Sequence, residues 1–349
     1  MIDIELLKQI CEIPGAPGFE QEIRSFLLNQ LSGLSYEIST DSMGNVIAFK
    51  KGSSDQKLMC AAHMDEISYI VTHIDDDGFI RFQALGGFDP KTLTAQRVYI
   101  HGDKIIPGVM ASKPIHIMSP EEKRKPAEIR DFFIDTGLSK DELLKYIGTG
   151  APVTRERTLI EMGDCVNSKS LDNRVSVFIL LECLKNLDNA VLPMDFYAVF
   201  TVQEEMGLRG ATVATSSIQP DFGIALDTTI AYDLPGAQAH EMVTKLGLGP
   251  AVKIMDSMVI SDYRMVNYMK SIAKNQNIPY QLEILQGGGT DTAALQRSGK
   301  GGAISGCISI PTRHLHQVIE MAHKSDIRHA ITLLQHCILD MSDFDWNFR

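Results

Sequence analysis

The stretch FYAVFTVQEEMGLRG at residues 196–210 constrains this chain more than any other. It opens as a continuous apolar run of β-branched and aromatic residues, the pattern of a strand buried on both faces. It then delivers two adjacent carboxylates, Glu204 and Glu205, followed by a turn bounded by glycines. Adjacent acids at the end of a buried strand repel one another and resist desolvation, so the pattern asks for a cation beside them. Taken alone, an acidic pair more often begins a solvated loop or caps a helix. The rest of the chain decides between the two.

A chain of 349 residues with 44% apolar residues can build two domains, or one large domain carrying an insertion. No apolar run reaches the length of a membrane span, and the first residues lack a basic region followed by an apolar core, so a cytoplasmic protein is expected. The six cysteines are scattered without a CxxC pair, which reads as reduced thiols rather than a disulfide frame. A formal charge of −11 argues against nucleic acid and anionic membrane as partners.

Taken in order, residues 3–12 and 18–32 carry helical spacing of apolar positions around the turn PGAPG, and residues 36–40, 45–50 and 57–62 read as strands. From residue 67 to about 164 the texture changes to many short strand-like pieces (69–74, 79–85, 98–102, 105–110 and 115–118), with a charged surface loop at 121–128. That texture predicts a small barrel or sandwich inserted into the larger unit. Afterwards a mostly buried helix over 170–187 is expected, then the central strand, a strand over 222–226, an amphipathic helix over 261–276, a strand over 280–285, another over 303–310 and a closing helix over 325–341. Strands alternating with helices give an α/β sheet that binds ligands outside the carboxyl ends of its strands.

Four of the apolar strands end in a candidate ligand: His63, Glu204 with Glu205, Asp227 and, six residues beyond its strand, His316. Asp172 stands at a helix start, where free amides and the macrodipole give an acid an ordinary structural role. His63 and Asp65 are two apart on extended chain and share a face, an arrangement that lets a carboxylate back a metal-binding imidazole. Each signal has a bland explanation, but their arrival at one sheet edge does not. Two histidines and three or four carboxylates suit zinc, manganese or cobalt and not copper(I) or iron–sulfur clusters. Five ligands exceed a single catalytic zinc; with one carboxylate bridging they serve two ions with three ligands each and leave one glutamate as base.

The motifs AAHMDE at 61–66, SLDNR at 170–174, TVQEEMGLRGA at 201–211, ALDTTIAYDLPG at 225–236, GGGTDTAA at 287–294 and SIPTRHLH at 309–316 occur in this order. Together they resemble the tetrahedral (TET) aminopeptidases, the glutamyl/leucyl aminopeptidase family of dimetal metallopeptidases, over nearly the whole chain. The resemblance implies a mixed-sheet α/β/α metallopeptidase domain (residues 1–66 and 165–349) interrupted by a β-barrel-like assembly domain (67–164). It implies two divalent ions per chain, zinc, cobalt or manganese, with His63 and Asp227 on one, Glu205 and His316 on the other, and Asp172 bridging. Glu204 would then be the general base and Asp65 the acid that orients His63. Peptides with a free N-terminus would be the substrates, and a dimer or a hollow tetrahedral dodecamer the assembly.

Ser68, His314 and Gln317 depart from residues usual in that family and bear on substrate preference rather than on the ligand set. His240, His323, His329 and His336 match no family role and read as surface or core residues. Three other functions stay open on the residues: a glycosidase built on paired acids, a dimetal deacylase or carboxypeptidase on the same scaffold, and a metal-bound oligomeric shell without catalysis.

Overall fold

The computed structural model describes residues 2–348. Four parallel strands form its spine: Asp195–Thr201, Lys57–His63, Phe222–Ile230 and Ile304–Arg313, adjacent in that order. Val46–Lys50 and Glu37–Thr40 extend the sheet antiparallel on one side. On the other side Glu320–His323, Cys165–Ser168 and Ile160–Met162 follow, while Ala251–Met255 pairs with Ile304–Arg313 and with Gln281–Ile284. Central parallel strands need cover on both faces, and the sequence supplies it. Leu58, Cys60 and Ala62 point into the larger core shared with Ile4–Glu12, Leu171–Asn186 and Lys324–Leu339. Met59 and Ala61 point into a smaller core under Arg209–Ile218 and Asp291–Arg297.

A second sheet closes on itself. Its strands are Ser68–Ile74, Ile80–Leu85, Phe132–Asp135, Ile106–Ser112, Arg97–Ile100 and Pro152–Arg155, joined in that order as a barrel. The strands are short and alternate, so each sends every second residue inward, and Val71, Ile80, Val98, Ile100, Met110, Ile134 and Val153 fill a separate core. The architecture is therefore the expected mixed α/β unit with a barrel of short strands in the middle of the chain. No helix among the described residues is long and apolar enough to cross a membrane, and the six cysteines are all free.

Some local expectations fail. Residues 115–118 are not a strand: Ile115–Ile117 is one 3-10 turn following Pro114, with Ile115 and Ile117 62% and 68% exposed. The apolar residues find no neighbouring strand to pair with, and without pairing their extended preference is not stabilised. Within the stretch expected as a loop, Pro120–Arg124 is helical, because Ser119 and Glu122 form a reciprocal capping box and Pro120 sits in the first turn. The strand expected to stop before Asp227 continues as Phe222–Ile230, paired residue by residue with Ile304–Arg313 up to Ile230 opposite Thr312. Asp227 is thus inside a strand rather than beyond it.

Candidate metal centre

The parallel register brings the site together. Thr201 pairs with His63, and Ala61 with Ala225, so two residues further along His63 and Asp227 stand side by side at the same edge. Beyond Thr201 the chain turns sharply, with Gln203 at φ 53° and Gly207 at φ 108°. Non-glycine residues resist the left-handed region, which costs on the order of 1 kcal/mol or more, so the turn needs external support. It has three clamps. Glu20 accepts the Gln203 amide at 3.1 Å and the Gly18 amide at 2.8 Å. Asn45 accepts the Val202 amide and donates to the Gly210 carbonyl, both at 3.0 Å. Asp65 accepts the amides of Glu204 at 3.0 Å and Glu205 at 3.1 Å. A Cβ at Gly210 would lie 2.5 Å from the Val202 carbonyl, so the turn closes only over glycine.

Asp172 does not act as a helix cap. Its backbone is non-helical (φ −77°, ψ 107°) and is followed by a cis peptide bond to Asn173. Its amide donates to Glu320 Oε2 at 2.9 Å. Its carboxylate is aimed between two imidazoles, with Oδ1 3.3 Å from His63 Nε2 and Oδ2 3.0 Å from His316 Nε2. His63 Nε2 also lies 3.7 Å from Asp227 Oδ1 and 3.8 Å from Glu204 Oε2, and His316 Nε2 lies 3.8 Å from Glu205 Oε1. The other face of His63 meets Asp65, with Nδ1 3.4 Å from Oδ1.

Burial and charge work against one another here. Burial by itself would push the His63 imidazole down, but Glu204 first, then Asp172, Asp227 and Asp65, hold it well above its ordinary value. Burial pushes the Glu204 carboxyl well up, opposed by His63 and reinforced by Asp227, Glu205 and Asp291. Burial likewise pushes Glu205 up to about 8 and raises Asp227. Burial would also raise Asp172, but His316 and His63 hold it well below the usual carboxylate range. So many buried acids cannot all be ionised unless positive charge is supplied.

The donor set fits divalent metal. Donor atoms of His63, Asp172 and Asp227 lie within 4.8 Å of one another, as do those of Asp172, Glu205 and His316. Atoms around an ion at roughly 2.0–2.1 Å stand about 3–4 Å apart, the spacing found here. Asp172 Oδ1 and Glu205 Oε1 are buried without a hydrogen-bond partner among the described residues, which is costly unless a cation takes them. All seven residues singled out in the sequence converge on this place, six of them as walls of one cleft of about 360 Å³ and Asp65 directly behind.

Residues 44–333 match the M42 glutamyl aminopeptidase family. The chain belongs to it. The lysyl aminopeptidase of Pyrococcus furiosus is 34% identical over 359 aligned residues, covering 99% of each chain. An aminopeptidase of the archaeon Desulfurococcus kamchatkensis superposes with a TM-score of 0.92 at 36% identity, over 97% of this chain and 94% of that one. The TET1 peptidase of Pyrococcus horikoshii, described as assembling into a tetrahedron or a large octahedral shell, gives 0.87 at 30% identity over 97% and 99%. The M42 chain described here is an aminopeptidase, a hydrolase acting on peptide bonds.

Several residues of this M42 site were not singled out in the sequence. Asp291 of the quoted GGGTD run is buried and accepts the Thr201 hydroxyl at 2.5 Å; burial first, then nearby acids, pushes its carboxyl up to about 7 against the pull of His63. Glu320 is buried and accepts the amides of Asp172 and, at 3.2 Å, His316. Lys253 lines the cleft, 3.5 Å from Asp256 and hydrogen-bonded to Glu283. A lysine inside the apolar strand Ala251–Met255 was the one available signal for that buried pair. Of the departures, Ser68 is buried with its hydroxyl unpaired among the described residues, and His314 adopts φ 61°.

Proposed function

We propose that this aminopeptidase works with two divalent ions, zinc, cobalt or manganese, one held by His63 and Asp227 and the other by Glu205 and His316, with Asp172 shared. The observation that carries the reading is the Asp172 carboxylate, whose two oxygens face the two imidazoles at 3.3 and 3.0 Å. When bound, such ions supply Lewis acidity toward a carbonyl and make water at the site easier to deprotonate. Glu204 faces the same cleft, 3.8 Å from His63 Nε2, and stands outside the ligand assignment. Lying next to the assigned ligand Glu205 at the cleft wall, its carboxylate is placed to take a proton from the attacking water and return it to the leaving amine. Asp65 keeps the His63 imidazole oriented and fixes the turn that carries Glu204.

The acidic cleft favours a substrate that brings its own positive charge, so the free N-terminal amine of a peptide is the group recognised, and cleavage is confined to the first residue. Residues 67–164 would serve assembly, through a dimer to a hollow tetrahedral dodecamer, and the enzyme would work in the cytoplasm. The TET1 peptidase supports the assembly reading by its described shells.

The test is release of the first residue from short peptides, free and N-acetylated, with metal supplied and then chelated. Metal-dependent cleavage confined to free amino ends is the expected result. Cleavage of the acetylated peptides would move the assignment to deacylase or endopeptidase chemistry, and hydrolysis unaffected by chelation would remove the two-ion reading.

A further inference from the structure

His316 is held from outside the unit that carries its strand. Its backbone adopts φ 56° and that of His314 φ 61°, two left-handed non-glycine residues within three positions. A segment so strained does not hold an imidazole in place unaided. Its ring Nδ1 meets the carbonyl of Gly87 at 3.1 Å, and donation there leaves Nε2 free to face Asp172 and Glu205. Gly87 belongs to the segment that leaves barrel strand Ile80–Leu85. A Cβ on Gly87 would come within 3.3 Å of His316 Nδ1, and one on Gly86 within 3.2 Å of Glu205 Oε2, so this segment lies directly on both side chains.

A second contact comes from the barrel strand Pro152–Arg155. The Arg155 side chain is only 1% exposed, and Nη1 donates to the carbonyl of Gln317, the residue after His316, at 2.5 Å. Its guanidinium also lies over the ring of Phe88, 5.8 Å from the centroid, and Phe88 stacks on Tyr69 of the barrel at 4.5 Å. Nη2 lies 4.0 Å from Glu66 Oε2, while Lys169 bonds the other oxygen of Glu66 at 2.5 Å. One buried cation therefore ties together the barrel strand, the Phe88 segment and the His316 turn.

We propose that Arg155 is a positioning residue for the second metal ligand set: with the Gly87 carbonyl, it lets the barrel preset His316 against Asp172 and Glu205. The barrel then takes part in building the catalytic centre, and its docking selectively tunes the ion held by Glu205 and His316. This rests on the two-ion reading above. Partners that orient a metal-binding imidazole typically change metal affinity by about 10–100-fold when removed.

The experiment titrates cobalt(II) into the chelated full-length protein and follows the visible spectrum and binding isotherm for wild type, Arg155→Met and Arg155→Lys. Methionine keeps the apolar stem and loses the donor and the charge; lysine keeps both. Arg155→Met should bind one ion with wild-type affinity and the second roughly 10–100-fold more weakly, and Arg155→Lys should recover much of that loss. Thermal unfolding of the chelated variants establishes that they are folded. A folded Arg155→Met with two unchanged affinities overturns the proposal, as does equal weakening of both ions or a lysine variant no better than methionine. If Arg155→Met does not fold, Phe88→Leu, which leaves the Glu66 cluster intact, must show the same selective weakening, and its absence overturns the proposal. A wild-type protein that saturates with fewer than two ions removes the two-ion reading itself, and the proposal with it.

Discussion

Asp65 accepts the backbone amide of Glu204 at 3.0 Å through the oxygen that also faces His63 Nδ1 at 3.4 Å. One carboxylate thus links an imidazole at the end of strand Lys57–His63 to the turn that follows strand Asp195–Thr201. Shortening or neutralising it disturbs two things at once. Asp65→Asn should weaken metal binding by about 10–100-fold, the range for groups that orient a metal-binding histidine, and should lower turnover even at saturating metal because the Glu204 amide loses a charged acceptor. Isothermal titration with zinc, alongside turnover at saturation, separates the two effects. An unchanged isotherm contradicts the orienting role.

Glu204 has a different dependence. Glu204→Gln preserves the shape of the side chain but cannot carry a proton, so turnover should fall on the order of 10²–10⁴-fold. Metal content measured on the same preparation should stay at the wild-type value. A variant with near wild-type turnover removes Glu204 as the base.

Asp172 faces both imidazoles, so Asp172→Ala should release metal rather than slow a metal-loaded enzyme. Wild-type protein at a free metal concentration about 100 times Kd should gain roughly 2.7 kcal/mol of stability over the chelated form. The variant should gain much less. Differential scanning calorimetry with and without added zinc reads this directly, and an equal gain in both proteins contradicts the shared-ligand assignment.

Glu20 provides a pH test away from the ligands. Burial, with some help from Asp65, pushes its carboxyl from an ordinary 4.5 up to about 7, against the amides it accepts. The folded chain therefore keeps a proton between these values that the unfolded chain has lost, and stability falls as pH rises through this window. The upper bound is about 3 kcal/mol, from about 1.36 kcal/mol for each pKa unit. Glu20→Gln keeps an acceptor for the Gly18 and Gln203 amides without the titration. Urea unfolding of both proteins at about pH 5 and pH 8 should show the variant gaining on wild type at the higher pH. A difference that does not change with pH removes the titration of Glu20 as a source of the slope.

Most of the candidate ligands were legible because they follow an apolar run whose direction is fixed by local pattern, Asp172 at its helix start being the exception. His63 follows KLMCAA, Glu204 and Glu205 follow FYAVFTV, and the edge of a parallel sheet collects whatever such strands end on. The barrel was legible as a change in texture, since short alternating strands bounded by glycine and proline are a local signal. The helix at Pro120–Arg124 had a capping signal that the charge-rich composition masked, and the 3-10 turn Ile115–Ile117 looked like a strand because pattern does not report whether a pairing partner exists.

By itself, the sequence determined which residue types were available at the sheet edge and in what order the α/β and barrel segments run, because both follow from periodicities of a few residues. Only the tertiary structure decided which groups support them. Asp172 meets Glu320 across 148 positions, Arg155 meets Gln317 across 162, and His316 meets Gly87 across 229. An isolated Glu320 or Arg155 in a sequence looks like any surface charge. What gives each its role is burial beside an unpaired amide or carbonyl, and that is fixed by how distant strands pack, not by any neighbour in the chain.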